Sequence, residues 1–276
     1  MGKKTILAVF FIFLSISLFA QSGLKIFVEE YNGELTIVRS QGKIKELIIP
    51  ETINNMPIVA IGEGAFTRKG LTLLVIPDSV TAIGNGAFSF NELTTLVIGD
   101  SVETIGTKAF YNNKLNDLTL GAGLRTIGMG AFAGNELRRV EIPDSVTSIE
   151  PYAFFFNRIT TIIIPDQVAI IGEGAFSTNR LYRAVIGGNV EEIGDGAFFN
   201  NQLTDISIPA SLSALGKRVF ESRLTKRGQV PPVDYLDENG EVIYTTANNF
   251  DNYYASTGKR AGKYTYSREG WEYNEE

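Results

Sequence analysis

The chain has 276 residues and a net charge of −6, and it contains neither cysteine nor histidine. Without these two residue types it has no disulfide, no thiol chemistry, none of the usual zinc sites and no Ser-His-Asp or Cys-His catalytic site. The acidic balance argues against nucleic acid as a partner, because nucleic-acid binding depends on clustered lysine and arginine. We expect no cofactor and no metal.

Residues 1–20 start with two lysines and continue as an apolar run over residues 6–19, interrupted by two serines. A charged start followed by an apolar stretch that is short for a membrane span is typical of a secretory signal peptide, cleaved after Ala20 or Ser22. An uncleaved membrane anchor is the alternative. The signal peptide predicts an extracytoplasmic protein, either secreted, on the cell surface or in the periplasm, with no integral membrane span after cleavage.

Residues 21–64 precede the regular part of the sequence. Two alternating segments, 24–29 and 34–39, flank Tyr31-Asn32-Gly33, and Asn-Gly in such a setting is a strong signal of a β-hairpin. A third extended run at 44–49 leads into a five-residue insertion around Asn54. We predict an N-terminal β-cap with an irregular first coil, since a terminal coil otherwise exposes its apolar face.

Residues 65–223 consist of a 22-residue repeat. Each unit has an extended Leu-x-x-Leu-x-Ile segment, a Pro or Gly turn, a second extended piece ending in Ile-Gly, a Gly-Ala-Phe segment, and an Asn before the next Leu. A fixed period of this length indicates a solenoid, in which each coil stacks on the next. The phenylalanine of the unit recurs as Phe66, Phe88, Phe110, Phe132, Phe154, Phe176, Phe198 and Phe220.

Stacking of these units predicts strands about 4.8 Å apart, with identical side chains in ladders along the axis. The phenylalanines are expected to form one buried column, each contributing roughly 1.5–3 kcal/mol. The predicted fold is therefore a mostly β solenoid with one short helical or 3-10 turn per coil, at Gly-Ala-Phe.

With these motifs, residues 44–223 resemble the leucine-rich repeat proteins and, more narrowly, the BspA-like class of bacterial surface proteins. Where leucine-rich repeats generally carry Asn or Cys after the LxL segment, this chain has mostly Ser or Gly, such as Ser79 and Gly123, and this departure is typical of the BspA-like class. Residues 27–38 and 258–271 also resemble segments that flank such repeats in spirochaete secreted proteins. The resemblance implies a leucine-rich repeat solenoid that acts as an adhesin, binding host matrix proteins or other bacteria.

Residues 224–276 leave the register and contain seven of the 11 tyrosines. Segments 233–236 and 241–245 flank Asn239-Gly240 and predict a second hairpin, and 261–266 and the region of Trp271 predict further short strands. We interpret this tyrosine-rich region as a C-terminal cap, with a small appended module as the alternative.

The best candidate site is the outward face of the first strand in each coil. Its mixture of apolar, threonine and charged side chains on a rigid sheet favours protein recognition, while an ordinary solvated sheet is the alternative. The candidate binding residues are Leu73, Val75, Thr95, Val97, Asp117, Thr119, Arg139, Glu141, Thr161, Ile163, Arg183, Val185, Asp205 and Ser207.

Four other patterns have a structural and a functional interpretation. The aromatics after the repeat phenylalanine (Phe90, Tyr111, Phe155, Phe156 and Phe199) either thicken the core or form a binding patch. The Asn column either bonds the neighbouring backbone or binds a ligand. The Asp pairs Asp78/Asp100 and Asp144/Asp166 either lie in solvated turns at the edge or hold calcium. The Gly-x-Gly pairs are expected to be turn glycines rather than a phosphate loop, because no lysine or βαβ setting accompanies them.

The outward carboxylates of Asp117, Glu141 and Asp205 would suit glycoside cleavage only if two of them flanked a substrate. We therefore predict a protein that is not an enzyme. The first hypothesis is an exported binding protein that uses its repeat solenoid for protein–protein recognition or adhesion, with a host or matrix component as one possible partner. The alternatives are a structural, self-associating envelope protein and, more remotely, a carbohydrate-binding solenoid.

Overall fold

The computed structural model describes the backbone of residues 14–19, 24–220, 258, 262–267 and 270–274, and the side chains of 24–220, 258, 262–264 and 273. Most of the predicted signal peptide and the predicted hairpin of 233–245 lie outside the described residues. In chain order the described strands are β1 (Leu14–Phe19), β2 (Leu24–Tyr31), β3 (Glu34–Gln41), β4 (Glu46–Ile48), β5 (Thr52–Ile53), β6 (Met56–Ile61), β7 (Leu73–Ile76), β8 (Ala82–Ile83), β9 (Thr95–Ile98), β10 (Thr104–Ile105), β11 (Asp117–Thr119), β12 (Thr126–Ile127), β13 (Ser148–Ile149), β14 (Thr161–Ile163), β15 (Ile170–Ile171), β16 (Arg183–Val185), β17 (Glu192–Ile193), β18 (Asp205–Ile208), β19 (Ala214–Leu215), β20 (Gly262–Ser267) and β21 (Gly270–Asn274).

The chain winds as a β-solenoid of eight coils, each named here by its repeat phenylalanine. The second extended piece of every coil joins one continuous parallel sheet that runs from β6 through β19. Equivalent residues pair directly, as Ile83 does with Ile105 and Ile105 with Ile127. The 22-residue period therefore sets the register of the whole stack.

The repeat phenylalanines form the predicted column. Neighbouring rings lie with centroids 5.1–5.6 Å apart and planes within 13° of parallel. All eight side chains are at most 3% exposed. Glycine in the Ile-Gly pair lets the backbones come this close, because a Cβ on Gly84 would lie 2.7 Å from the backbone nitrogen of Glu63 in the coil before.

The predicted helical or 3-10 turn is wrong, since no helix occurs among the described residues. The N–H of Ala65 donates to the Gly62 carbonyl within its own coil, but the next N–H, of Phe66, donates to the Ala87 carbonyl of the following coil. Consecutive N–H groups thus donate alternately within their own coil and to the next coil, whereas the N–H groups inside a helix donate to carbonyls of the same helix. Gly64 also has φ +60°, outside the right-handed helical region.

The two ends of the stack differ from its middle. The predicted hairpin is present: β2 and β3 are antiparallel around Asn32-Gly33, both with positive φ, and β3 pairs in parallel with β6. The predicted insertion forms a second small hairpin, β5 with β6. At the other end β20 pairs antiparallel with β18, and β21 with β20, so the predicted strands at 261–266 and Trp271 are confirmed. Residues 14–19, inside the predicted signal peptide, pair as β1 with β2.

The first strands of the coils form two separate sheets, not one. One contains β4, β7, β9 and β11, and the other contains β14, β16 and β18 with the two C-terminal strands. Residues 139–142 of the Phe154 coil lie between these sheets and, within the described chain, make no backbone hydrogen bond to either neighbour. The prediction of a strand in every coil is therefore wrong at this one.

Side-chain burial changes at the same place. Val140 and Ile142 are 9% and 8% exposed, and Leu118 in the coil before is only partly buried. The series of hydrogen bonds from turn aspartates to the following coil also ends there. The Asp100 carboxylate accepts from the backbone N–H of Ala122, but Ala122 has no carboxylate that could accept from the coil after it. The opposite face stays continuous, since β12 still pairs with β13. The stack is thus interrupted on the strand side alone.

Candidate binding surface

The outward strand face carries the 14 predicted binding residues, and none of them is buried. Alternation along each strand explains this, because Leu74 and Ile76 point into the core while Leu73 and Val75 point away. The exposed members are Val97, Asp117, Thr119, Arg139, Glu141, Ile163 and Arg183. The half-buried members are Leu73, Val75, Thr95, Thr161, Val185, Asp205 and Ser207.

Apolar β-branched side chains stand in one column of this face. Ile48 pairs with Val75, and Val75 with Val97, in register across three coils. Ile163 pairs with Val185 beyond the interruption. The face therefore has two apolar sections separated by the polar residues at the break.

Two residues of the face were missing from the prediction. Glu46 and Ile48 lie on β4, in the coil interpreted from sequence as part of the cap, and Ile48 is 62% exposed. The signal was available, because Glu46-Leu47-Ile48 alternates as the later strands do. The outward strand face thus extends one coil further towards the N-terminus than predicted.

The charged residues of the face include one ion pair. The Arg183 Nε lies 3.6 Å from the Asp205 Oδ2 in the next coil, and Arg183 is the more exposed of the two. An exposed pair of this kind contributes little to stability. Of the other candidate carboxylates, Asp117 lies on β11 and Glu141 lies within the interruption, so no strand pairing fixes the distance between them.

The buried Asn column bonds the backbone, as the structural interpretation predicted. Asn91 Oδ1 accepts from the N–H groups of Lys69, Gly70 and Leu71, and its Nδ2 donates to the carbonyls of Phe66 and Phe88. Asn113, Asn135, Asn157, Asn179 and Asn201 repeat the central contacts. With both ends of the amide engaged, these side chains tie each coil to the one before.

The turn carboxylates have the same role. Asp78 Oδ1 accepts from the N–H of Asp100 at 2.8 Å, and Asp166 Oδ1 from that of Gly188 at 2.7 Å. The glycine pairs are turn glycines, as predicted: Gly84 contacts the preceding backbone and Gly86 has φ +58°. Within the described residues no three acidic side chains converge on a possible metal position.

The aromatics after the repeat phenylalanine are not core residues. Phe90 is 40% and Phe156 60% exposed, and Tyr111, Phe155 and Phe199 are half-buried. Phe90 packs edge-on against Tyr111 at 5.3 Å, with the Arg68 guanidinium 4.8 Å from its centre. The core-thickening interpretation is therefore wrong for Phe90 and Phe156, and the aromatics form a partly exposed ridge along the turn edge.

None of the described residues forms a helix long and apolar enough to cross a membrane.

Three solved structures of bacterial leucine-rich repeat proteins are similar to this chain. A leucine-rich repeat protein from Bacteroides ovatus is 25% identical, and the alignment covers 73% of this chain and 56% of that one, with a TM-score of 0.55. The chain thus spans little more than half of that protein. A leucine rich cell surface protein from Faecalibacterium prausnitzii is 21% identical over 74% of this chain and 76% of its own, with a TM-score of 0.43. The T. pallidum Leucine Rich Repeat protein is 20% identical over 68% and 81%, with a TM-score of 0.47.

No curated protein matches the chain in sequence. The family described as BspA type Leucine rich repeat region matches in six copies, over residues 39–138 and 103–225. These two matches together span well over half of the chain and include every coil with a repeat phenylalanine. The chain therefore belongs to the BspA-type leucine-rich repeat family, and the expected leucine-rich repeat solenoid is confirmed.

Proposed function

We propose that this protein is a non-catalytic exported binding protein whose outward strand face binds another protein. The observation that carries the proposal is the column of exposed apolar side chains on that face: Ile48 is 62%, Val97 36% and Ile163 69% exposed. A leucine-rich repeat solenoid is an architecture suited to protein–protein recognition, because stacked coils present one extended surface. Scattered single apolar residues need no explanation, but a register-aligned column on a rigid sheet does.

The chemistry of the face favours a protein partner. Apolar centres with a polar surround are typical of recognition surfaces, and here Thr95 and Thr161 flank the apolar column. Because the backbone of the paired strands is fixed by the stack, binding requires little ordering of this surface. The interruption at residues 139–142 divides the face, so we expect the two apolar sections to contact separate parts of one partner.

Two further observations support an extracytoplasmic protein. The N-terminal 20 residues have the composition of a signal peptide, and the repeats resemble those of BspA-like bacterial surface proteins. The absence of cysteine fits a fold that is stable by stacking and needs no disulfide. Adhesion to a host or matrix component is the form of the function that we propose to test first.

The test compares two isoleucines of the same coil. Ile163 on the outward strand face and Ile170 on the continuous sheet are 69% and 45% exposed. The purified protein, Ile163→Glu and Ile170→Glu are measured by surface plasmon resonance against an immobilised panel of fibronectin, laminin and collagen. We expect Ile163→Glu to weaken binding at least about tenfold and Ile170→Glu to leave it unchanged.

Three results would contradict the proposal in different ways. Equal losses in both variants would show that binding is unrelated to the strand face. Binding to none of the matrix proteins would contradict the adhesion form. A higher mass in light scattering that Ile163→Glu abolishes would identify a second copy of the chain as the occupant of the face, which is the self-associating alternative.

A further inference from the structure

The described backbone is left-handed two residues after the repeat phenylalanine and, in every coil, also two residues before it. Five coils carry glycine there, but Lys108, Tyr152 and Arg218 have φ of 55°, 59° and 56°. A left-handed φ is unfavourable for residues with a bulky side chain, so such residues are outliers that suggest a function for the side chain. The glycine members of this column are Gly64, Gly86, Gly130, Gly174 and Gly196.

The strain at Tyr152 is not offset by burial. The side chain is 38% exposed, and its hydroxyl donates a hydrogen bond to the Glu173 carboxylate of the next coil. The ring lies over Gly174, where a Cβ would come 2.5 Å from a ring carbon. It also meets Phe155 edge-on, with centroids 6.0 Å apart. Glycine at 174 therefore allows the tyrosine ring to contact the backbone of the next coil this closely.

A cleft of about 320 Å³ opens beside this ring, and we name it the Tyr152 cleft. Tyr152 forms one wall. Arg218 forms the other, with its guanidinium carbon 4.9 Å from the centre of the Phe199 ring. The floor is the backbone of Gly174 and Gly196. The Tyr152 ring covers Gly174, so the open space lies beside the ring at Gly196, before the bulky side chain of Arg218 in the following coil.

The polar groups of the Tyr152 cleft are balanced in charge. Glu173 and Asp195 supply carboxylates, and Lys217 and Arg218 supply cations. A cationic ligand would meet Lys217 and Arg218, and an anionic one would meet the two carboxylates, so either suffers repulsion. A neutral ligand rich in hydroxyl groups can donate to the carboxylates and accept from the cations at the same time.

We propose that the Tyr152 cleft binds a neutral sugar, as the terminal unit of a glycan. The C–H face of a sugar ring would pack on the Tyr152 ring, while its hydroxyls reach Glu173, Asp195 and Lys217. The volume lies at the small end of the range for small-molecule sites, about 300–1,000 Å³, which suits a terminal unit. The site lies on the turn edge and is independent of the strand face proposed above.

The decisive variant is Tyr152→Gly. Glycine occupies the equivalent position of the neighbouring coils with the same φ, so this variant removes the aromatic wall while relieving backbone strain. Lys108→Gly is the matched control, because it relieves the same strain at φ 55° outside the cleft. Lys108→Gly is expected to melt no lower than the natural protein. Tyr152→Gly gains the same relief of strain but loses the hydrogen bond to Glu173, so its fold is checked by circular dichroism.

The experiment uses the purified protein on an array of neutral and sialylated glycans, followed by saturation-transfer NMR with galactose, N-acetylglucosamine and sialic acid. We expect binding to neutral glycans, weakened at least about tenfold by Tyr152→Gly and unchanged by Lys108→Gly and by Ile163→Glu. Absence of any glycan binding would overturn the proposal. So would a preference for sialic acid, or neutral-glycan binding that Tyr152→Gly leaves intact. Loss of matrix-protein binding in Ile163→Glu has no bearing on these outcomes, so the two proposals fail separately.

Discussion

The rings of Phe110 and Phe132 lie 5.3 Å apart and 8° from parallel, although 22 residues of chain separate them. Each ring thus completes the packing of the other, and neither coil can bury its phenylalanine alone. The same relationship holds along all eight coils, so the cost of removing one ring falls on two neighbours.

Phe132→Ala is therefore expected to destabilise the protein by about 3–5 kcal/mol, because the rings above and below cannot both move into the cavity. Urea or thermal unfolding followed by circular dichroism measures this. Arg139→Ala, an exposed residue of the next coil, is the control and should change stability by no more than about 0.5 kcal/mol. Comparable melting temperatures for the two variants would contradict the stacking argument.

Asn135→Ala tests the amide column. Asn135 Oδ1 accepts from the N–H of Leu115, and its Nδ2 donates to the carbonyls of Phe110 and Phe132 at 3.1 and 2.9 Å. Alanine leaves the buried N–H of Leu115 without its partner, at a cost of about 1–3 kcal/mol. Each of the two carbonyls keeps a second donor from the Asn of a neighbouring coil. Chemical denaturation should therefore show a loss smaller than that of Phe132→Ala.

The control for that variant is Asn116→Ala, an exposed asparagine of the same coil. Its replacement removes no buried hydrogen bond, so stability should be nearly unchanged. If both asparagines cost the same, the amide column contributes through solubility or local propensity and not through bonds between coils.

Hydrogen exchange tests the interruption of the strand face. The N–H groups of residues 139–142 have no backbone partner in either neighbouring coil, whereas the equivalent residues of β9 are paired on both sides. Unpaired groups near the surface exchange without any opening of the structure. Mass spectrometry should find the peptide containing 139–142 exchanging much faster than the one containing 95–98. Equal protection of the two peptides would mean that the strand ladder is continuous in solution.

Tyr152 gives the protein a specific pH response. The hydrogen bond to Glu173 raises the pKa of the Tyr152 phenol above its ordinary value of 10.0, and burial and the negative charge of Glu173 act in the same direction. Because the folded-state pKa lies above the unfolded one, the stabilisation is fully present below about pH 10 and is lost as the pH rises through the folded value.

The natural protein should therefore melt above Tyr152→Phe at neutral pH, with the difference shrinking at alkaline pH. Tyr182→Phe is the control, a 51% exposed tyrosine elsewhere on the stack. A difference for Tyr152→Phe that stays constant from neutral to strongly alkaline pH would mean that the phenol proton takes no part.

Much of this architecture was readable from periodic residues. The phenylalanine interval, the Asn before each first strand and the Asn32-Gly33 turn predicted the column, the amide ladder and the hairpin. These predictions succeeded because each feature depends on one residue type at a fixed position of its segment, and such positions can be read directly from the sequence.

The helical turn and the central strand were predicted wrongly for a shared reason. Gly-Ala-Phe suits a helical turn in isolation, but its N–H groups bond alternately to the next coil, which only the stacked structure decides. Residues 139–142 fit the strand pattern as well as any coil, yet their neighbours do not pair with them. Hydrogen bonds between coils depend on the spacing of two backbones, and no single unit contains that information.

The sequence by itself determined that this chain is a leucine-rich repeat solenoid, how many coils it has and which side chains form its core, because a side-chain period and its burial are properties of one unit. Only the tertiary structure decided that the strand face is divided in two, and that Tyr152 lies across Gly174 to form a cleft. Both features arise where one coil contacts the next. The Tyr152 ring can lie over residue 174 because that residue is glycine, and the strand ladder stops because residues 139–142 do not pair with the adjacent coils.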